Sequence, residues 1–193
     1  DHWLWRSGEK TFDALPYPAL IGAHQINNAA GVLMAIHQLD KRLPVPLSAI
    51  QQGLKAVRLP GRLQICPGPI EQILDVSHNV QGVAALARLL NNQPAQGRTL
   101  AVIGMMSDKD QRAIIKKLVD PVDLWFTVDL QTTRAETAAN LCEIIEQFSV
   151  GTCRACDSVE SAYHQVYQQV RKGDRILICG SFYTVAEWLE IEE

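Results

Sequence analysis

The chain has 193 residues, of which 47% are hydrophobic and 20% are charged, and its formal net charge at pH 7 is −3. Such a composition is typical of a globular protein that buries a core without a disulfide or a metal ion. The small negative charge argues against nucleic-acid binding, which needs clustered basic residues. No apolar run approaches the length of about 20 residues that spans a bilayer, so we expect no membrane partner.

The first part of the chain predicts two short strands followed by two helices. Hydrophobic periodicity and turn residues place the strands at 3–6 and 10–15 and the helices at 21–39 and 48–57. Ser48 is the expected N-cap of the second helix. Because the sequence runs from Asp1 straight into an apolar strand pattern, we expect a truncated chain whose first residues belong to a larger domain.

The Leu59-Pro60-Gly61 bend marks the predicted boundary between two domains, 1–58 and 59–193. After this bend, apolar runs alternate between the periods of strands and helices. Strands are predicted at 63–66, 72–76, 99–104, 123–127, 151–156 and 175–179, and helices at 80–90, 109–118, 135–148 and 158–172. The alternation predicts an α/β fold with a Rossmann-like, doubly wound and mainly parallel sheet that is covered on both faces.

Polar residues follow three of the predicted strands at the point where each strand ends. They are the segments 75–79 (Asp-Val-Ser-His-Asn), 107–110 (Ser-Asp-Lys-Asp) and 180–184 (Gly-Ser-Phe-Tyr-Thr). Ligands of doubly wound sheets bind outside the carboxyl ends of the strands. These segments are therefore the candidates for a binding site.

Two candidate residues lie outside these segments, and each has a functional and a structural interpretation. Arg62 follows the Pro-Gly bend; its planar fork of donors suits phosphate oxygens or the face of an adenine, and the alternative is a surface arginine at an interdomain corner. Asn28 lies in a polar stretch at the start of the first helix. Its amide either bonds to an adenine edge or caps the helix.

The residues at the strand ends also have two interpretations each. Asp75 either accepts hydrogen bonds from ribose hydroxyls or caps the next helix, whereas Asn79 is the expected N-cap. His78 either orients a phosphate and moves a proton or bonds to the backbone of its own turn. Lys109 either meets an anion beside a helix start or belongs to a solvated cap. Gly180-Ser181 either permits close approach of a ligand or only forms a turn.

Five cysteines occur at irregular spacing. Cys153 and Cys156 form a C-x-x-C, but neither a second pair nor histidines at ligand spacing complete a zinc site. The motif also does not open a helix after a strand, as redox pairs normally do. We therefore expect reduced, buried thiols in a cytoplasmic protein and no metal site.

Several elements, in order, resemble the Mur ligase superfamily and, within it, the branch of bifunctional dihydrofolate and folylpolyglutamate synthases. They are His24-Gln25 with Asn28-Ala29, 59–64 (Leu-Pro-Gly-Arg-Leu-Gln), 74–79 (Leu-Asp-Val-Ser-His-Asn), 101–104 (Ala-Val-Ile-Gly), 107–110 and 180–185 (Gly-Ser-Phe-Tyr-Thr-Val). These elements cover nearly the whole chain. The chain departs from the family pattern at Val80, where proline is usual.

The resemblance implies an ATP-dependent ligase that adds L-glutamate to dihydropteroate and to (tetrahydro)folate. ATP phosphorylates a carboxylate of the substrate, and the glutamate amine then attacks the acyl phosphate. The resemblance further implies that Asn28, Arg62 and Asp75 contact ATP and that His78 and Ser181 act in catalysis at the closed site. The implied cofactors are ATP and Mg²⁺.

The resemblance also implies that the chain is only the carboxyl-terminal portion of such an enzyme. No G-x-x-x-x-G-K-[ST] phosphate loop occurs in it, so that loop and the magnesium ligands are expected in a missing amino-terminal part. Residues 1–58 are then a trailing fragment of the ATPase domain, and 59–193 are the glutamate ligase domain.

We expect the isolated chain to be inactive and to self-associate through an exposed apolar face of this fragment, whereas the full-length enzyme is expected to be a monomer. Two other functions stay open at this point. The chain is either part of another Mur-type amino-acid ligase or a nucleotide-binding module without catalysis.

Overall fold

The computed structural model of the protein describes residues 2–149 and 151–193, which divide into two units at the Pro60–Gly61 bond. The first unit contains an antiparallel hairpin and two helices: β1 (His2–Ser7), β2 (Lys10–Pro16), α1 (His24–Leu39) and α2 (Leu47–Ala56). Its small core is formed by Trp5, Phe12, Leu15, Leu33 and Ile50. All four elements were predicted from the periodicity of the sequence.

The predicted N-cap of α2 is wrong. The helix begins at Leu47, and Pro46 occupies the N-cap position with φ −67° and ψ 149°. Proline favours this φ and its missing N–H costs nothing at a helix start, so the helix begins earlier than Ser48. None of the helices in the described ranges is long and apolar enough to cross a bilayer.

The second unit is an α/β domain whose elements alternate along the chain. They are β3 (Gln64–Cys66), β4 (Glu71–Asp75), α3 (Val80–Asn92), β5 (Thr99–Ile103), α4 (Gln111–Leu118), β6 (Leu124–Val128), α5 (Ala138–Glu146), β7 (Thr152–Cys156), α6 (Val159–Tyr167), β8 (Arg175–Cys179) and α7 (Phe182–Glu192). The six strands form one sheet in the order β3-β4-β8-β5-β6-β7. Only β3 is antiparallel to its neighbour, which confirms the predicted mainly parallel sheet.

Helices cover both faces of this sheet. One core layer packs α3, α4 and α5 against residues such as Ala101 and Leu177, and the other packs α6 and α7 against their chain neighbours Val102 and Ile178. Successive residues of a strand point to opposite faces, so a strand buried on both faces is an uninterrupted apolar run. Helix α7 was not predicted.

The cysteines differ in part from the expectation. Cys142 and Cys153 form a disulfide between α5 and β7, whereas Cys66, Cys156 and Cys179 are free. The prediction that all five thiols are reduced is therefore wrong for this pair. Side chains alternate between the two faces of a strand, so residues three positions apart point to opposite faces. Cys153 and Cys156 therefore contact opposite core layers, and the C-x-x-C cannot act as a redox pair.

The turn after β8 requires glycine. Gly180 has φ +99°, and a Cβ atom there would lie 2.6 Å from the carbonyl oxygen of Gly104. We expect Gly180→Ala to lower the free energy of unfolding by about 1–3 kcal/mol from backbone strain alone. Chemical denaturation measures this loss.

Gly68→Ala is the matched control in the same unit, because its Cβ would make only an ordinary contact with Ile70 O at 3.4 Å. Its effect should stay within about 0.5 kcal/mol. Equal losses for the two variants would refute the assignment of strain to Gly180.

Candidate functional site

The strand order brings the three predicted polar segments together. β8 pairs with β4 on one side and with β5 on the other, so that Asp75, Cys179 and Ile103 lie in register at the carboxyl ends of the three strands. The residues that follow them therefore emerge at one edge of the sheet, where ligands of this fold class bind. The candidate site lies at this edge, within the second unit.

Arg62 is presented by a turn in an unusual backbone conformation. Gly61 and Leu63 on either side of it have φ of +68° and +46°. The Gly61 carbonyl accepts from Val76 N at 2.7 Å, and Leu63 N donates to the Asp75 carboxylate at 2.9 Å. The guanidinium is exposed and lies over the Phe182 ring, 5.5 Å from its centroid.

Asp75 is only 2% exposed, and both of its carboxylate oxygens accept backbone hydrogen bonds. Oδ2 accepts from Leu63 N and Oδ1 accepts from Ser77 N, each at 2.9 Å. The helix-capping alternative for Asp75 is wrong. Asn79 caps α3 by accepting from Gly82 N at 2.8 Å, as predicted.

His78 bonds to the backbone of its own turn. Its Nδ1 lies 3.0 Å from the Val76 carbonyl oxygen. A carbonyl can only accept, so Nδ1 carries the proton in this contact and Nε2 of the neutral ring is left as the basic nitrogen. The ring also lies beside Phe182, with 6.0 Å between the centroids.

Ser181 is buried and caps α7. Its Oγ accepts from Thr184 N at 3.0 Å and lies 2.9 Å from Thr184 Oγ1, which donates to the Gly104 carbonyl at 3.1 Å. This network ties the start of α7 to the end of β5. The helix start, with its positive dipole end, is thereby held at the same edge of the sheet.

Two cations and one carboxylate form an exposed cluster beside these residues. Asp108 Oδ2 pairs with Lys109 Nζ at 3.1 Å and with Arg134 Nη2 at 3.2 Å. The hydrogen bond from Lys109 holds the pKa of Asp108 below its ordinary value, and the charges of Lys109 and Arg134 act in the same direction. Asp110 caps α4 through Ala113 N, as the capping alternative predicts, and the partly buried Lys109 beside it pairs with Asp108.

Arg134 was missed by the sequence analysis. It follows β6, the next strand of the sheet after β5, and Ser107 N donates to its carbonyl at 2.8 Å. It lies six residues beyond the end of β6, and no compact motif marks it in the sequence.

A shallow hollow of about 120 Å³ collects these groups. Its walls combine cationic or titratable side chains with apolar and hydroxyl groups: His78, Lys109, Arg134, Met106, Ser181, Phe182 and Tyr183. Among residues 2–149 and 151–193, no three His, Cys, Asp or Glu side chains lie together as a metal site.

The structure thus brings together four of the five predicted site residues: Arg62, Asp75, His78 and Ser181. Asn28 belongs to the first unit, where it is exposed on α1 and its Nδ2 donates to Gln25 Oε1 at 2.9 Å. The helix-capping alternative for Asn28 is wrong, because Ala23 occupies the N-cap position of α1.

The cluster around Asp108 gives a pH prediction. Because its carboxyl pKa is lowered, the attraction to the two cations is present above the ordinary aspartate pKa and is lost as the pH falls through the lowered value. We expect Lys109→Met to raise the Asp108 pKa toward its ordinary value and Arg134→Met to raise it by less. Carbon-detected NMR titration measures both.

Lys116→Met on α4, the helix that follows Lys109, is the control for that titration, since Lys116 is exposed and pairs with no carboxylate in the described part of the chain. An Asp108 pKa that stays as unchanged in Lys109→Met as in the Lys116→Met control would show that the cluster does not exist in solution.

Comparison with known proteins assigns this domain. Residues 61–182 match the family model described as Mur ligase, glutamate ligase domain. The dihydrofolate synthase/folylpolyglutamate synthase of Escherichia coli K12 is 34% identical over 192 residues, which are 99% of this chain and 43% of that enzyme. The chain thus spans less than half the length of this relative.

Solved structures agree. Escherichia coli FolC in complex with DHPP and ADP superposes with a TM-score of 0.82 at 34% identity, covering 99% of this chain and 44% of that one. A bifunctional folylpolyglutamate synthase/dihydrofolate synthase with Mn, AMPPNP and L-glutamate bound gives a TM-score of 0.81 at the same identity and coverage. With its mainly parallel sheet and a family match over most of the second unit, the chain belongs to the Mur ligase family and contains its glutamate ligase domain.

Proposed function

We propose that the chain is the carboxyl-terminal portion of an ATP-dependent ligase that adds L-glutamate to dihydropteroate and to (tetrahydro)folate through an acyl phosphate. The observation that carries this proposal is a hollow at the carboxyl edge of the sheet. It is lined by His78, Lys109 and Arg134 and lies in the domain that matches the glutamate ligase family. In this proposal residues 1–58 are a trailing fragment of the ATPase domain, and 59–193 are the glutamate ligase domain.

The hollow fits an amino acid that carries carboxylates. Lys109 and Arg134 offer charge-assisted hydrogen bonds to a carboxylate, and an arginine can hold one with two parallel bonds. Met106 and Phe182 supply apolar walls for a short aliphatic chain. We assign the recognition of the glutamate carboxylates to Lys109 and Arg134.

His78 and Ser181 are the proposed catalytic residues. With Nδ1 held on the Val76 carbonyl, the free Nε2 of His78 is available to take a proton from the amine that attacks the acyl phosphate. Ser181 holds the start of α7 at the hollow, where the unpaired N–H groups of the first turn favour a negative charge. Exclusion of water during this step requires the ATPase domain to close over the site.

Arg62, Asp75 and Asn28 are the proposed ATP contacts. Arg62 is suited to this role, because its guanidinium is exposed and pairs with no carboxylate in the described part of the chain. We place the magnesium ligands mainly in an amino-terminal part outside this chain, together with the phosphate loop.

We further propose a cytoplasmic protein without nucleic-acid or membrane partners. Three free cysteines support this compartment. Exposed Val32 and Leu43 of the first unit, 58% and 64% accessible, support self-association of the isolated chain. The full-length enzyme is proposed to be a monomer.

The test is glutamate-dependent release of phosphate from ATP, with dihydropteroate and tetrahydrofolate offered in turn. The longer gene product that contains this chain should release phosphate, and the chain alone should not, because it lacks a phosphate loop. Activity of the chain alone would refute the proposal that the active site is divided between this chain and an amino-terminal part that carries the phosphate loop. Use of another amino acid in place of glutamate would move the assignment to a different Mur-type ligase.

The carboxylate assignment predicts a selective effect in that assay. Lys109→Met and Arg134→Met should each raise KM for glutamate about tenfold or more, since each removes a hydrogen bond to a charged group, and should leave KM for ATP within about twofold. Lys116→Met changes an exposed lysine of α4, the helix that follows Lys109; it is the control and should change neither constant. A rise in KM for ATP alone would place the nucleotide, and not glutamate, in the hollow.

A further inference from the structure

We propose that Asp75 is a positioning residue, whose buried carboxylate joins the two turns that present Arg62 and His78 and holds both side chains ready for ligand. The effect on catalysis rests on the proposed function; the structural effect does not. An aspartate at the end of a strand would ordinarily be assigned to contact with a bound nucleotide. The contacts of Asp75 assign it a second task within the chain itself.

The two turns converge on one carboxylate. Oδ2 accepts from Leu63 N, next to Arg62, and Oδ1 accepts from Ser77 N, next to His78, both at 2.9 Å. No ion pair or side-chain hydrogen bond in residues 2–149 and 151–193 joins Asp75 to Arg62 or His78. The carboxylate therefore acts on these two residues through their neighbours in the backbone.

The turn that carries Arg62 needs such a partner. Leu63 has φ +46°, in the left-handed region that residues other than glycine rarely adopt, and this conformation costs about 1–3 kcal/mol. Its side chain is buried in the core layer beneath α3, so the backbone cannot relax without exposing it. A hydrogen bond from Leu63 N to a buried carboxylate is of the strong, charge-assisted type that can offset the strain.

The rest of the turn is fastened to the same strand end. Val76 N donates to the Gly61 carbonyl at 2.7 Å, and Gly61 N donates to Gln64 Oε1 at 3.0 Å. At its far end the Arg62 guanidinium lies over the Phe182 ring, to which His78 is also adjacent. Backbone and side-chain tip are thus both restrained before any ligand arrives, which reduces the ordering cost of binding.

Asp75→Asn is the test variant, and Asp174→Asn is its matched control. Asparagine keeps the shape but has one acceptor oxygen, so it cannot accept from both amides. Asp174 is also buried and also accepts two backbone N–H groups, from Arg98 and Arg171, but it precedes β8 at the opposite end of the sheet. The two variants therefore each remove backbone hydrogen bonds, one at the end of β4 and the other before the start of β8, and Asp174→Asn also weakens the ion pair with Arg98.

Amide hydrogen exchange of the 193-residue chain, followed by NMR, is the first measurement. Asp75→Asn should speed exchange at Leu63, Ser77 or both by about tenfold or more and leave Arg98 and Arg171 unchanged, whereas Asp174→Asn should do the reverse. Unchanged exchange at Leu63 and Ser77 in a folded Asp75→Asn protein would overturn the proposal.

If Asp75→Asn fails to fold, the hydrogen bond from Leu63 N to Asp75 is tested in the unaltered chain. A scalar coupling across the hydrogen bond, from the Leu63 amide nitrogen to the Asp75 carboxyl carbon, is expected. Its absence in a chain whose other backbone hydrogen-bond couplings are visible would overturn the proposal.

The kinetic arm uses the longer gene product and a cycle with Arg62→Ala. If Asp75 acts through Arg62, Asp75→Asn should raise KM for ATP about tenfold in the unaltered enzyme and by clearly less in the Arg62→Ala background, where only its own proposed contact with ATP remains. Equal effects in both backgrounds would show that Asp75 acts independently of Arg62. An unaltered enzyme without glutamate-dependent phosphate release would refute the proposed function, and the exchange result would still decide the role of Asp75.

Discussion

The parallel pairing of β8 with β4 on one side and with β5 on the other is the interaction on which the site depends. β8 is the last strand of the chain, yet it lies inside the sheet, between strands that come about 100 and 70 residues earlier. Only this insertion sets Asp75, Cys179 and Ile103 side by side. The turns after these residues share one edge, so groups that are remote in sequence can act on one ligand.

Close packing at that edge depends on small groups. Gly180 and Gly104 have no room for a Cβ, and the Thr184 hydroxyl lies against Gly104 and bonds to its carbonyl. As a result α7 begins against the end of β5, with its free N–H groups beside the hollow. A larger residue at either glycine would move the helix start away from Lys109 and His78, even if the sheet itself survived.

The sequence alone predicted the parts of the fold that follow from local patterns. The strand at 175–179 was placed to the residue, because a buried parallel strand is a continuous apolar run between polar residues. Helix α7 was missed because its buried stripe includes Thr184 beside Val185 and Trp188, which weakens the helical apolar pattern. The Cys142–Cys153 pair also could not be predicted, since it depends on how α5 lies against the edge strand β7.

The site was predictable only where its residues adjoin a strand within a compact motif. Arg62, Asp75 and His78 fall in two such motifs, whereas Arg134 lies in a loop without one. What brings Arg134 to the hollow is an antiparallel bridge between Met106 and Ala135, which joins the loops after β5 and β6. Contacts of this kind depend on three-dimensional register, and no local pattern encodes them.

The carboxylate of Asp108 explains how two like charges share the hollow before a ligand is bound. Lys109 and Arg134 would repel one another, and Asp108 between them offsets this repulsion by pairing with both. Asp108 is half-exposed, so water and salt screen its attraction and its hold on the cations is weak. A carboxylate that enters the hollow, as the proposed glutamate recognition requires, would meet the same two cations. Because its hold on them is weak, Asp108 would keep the cations in place without competing strongly for them.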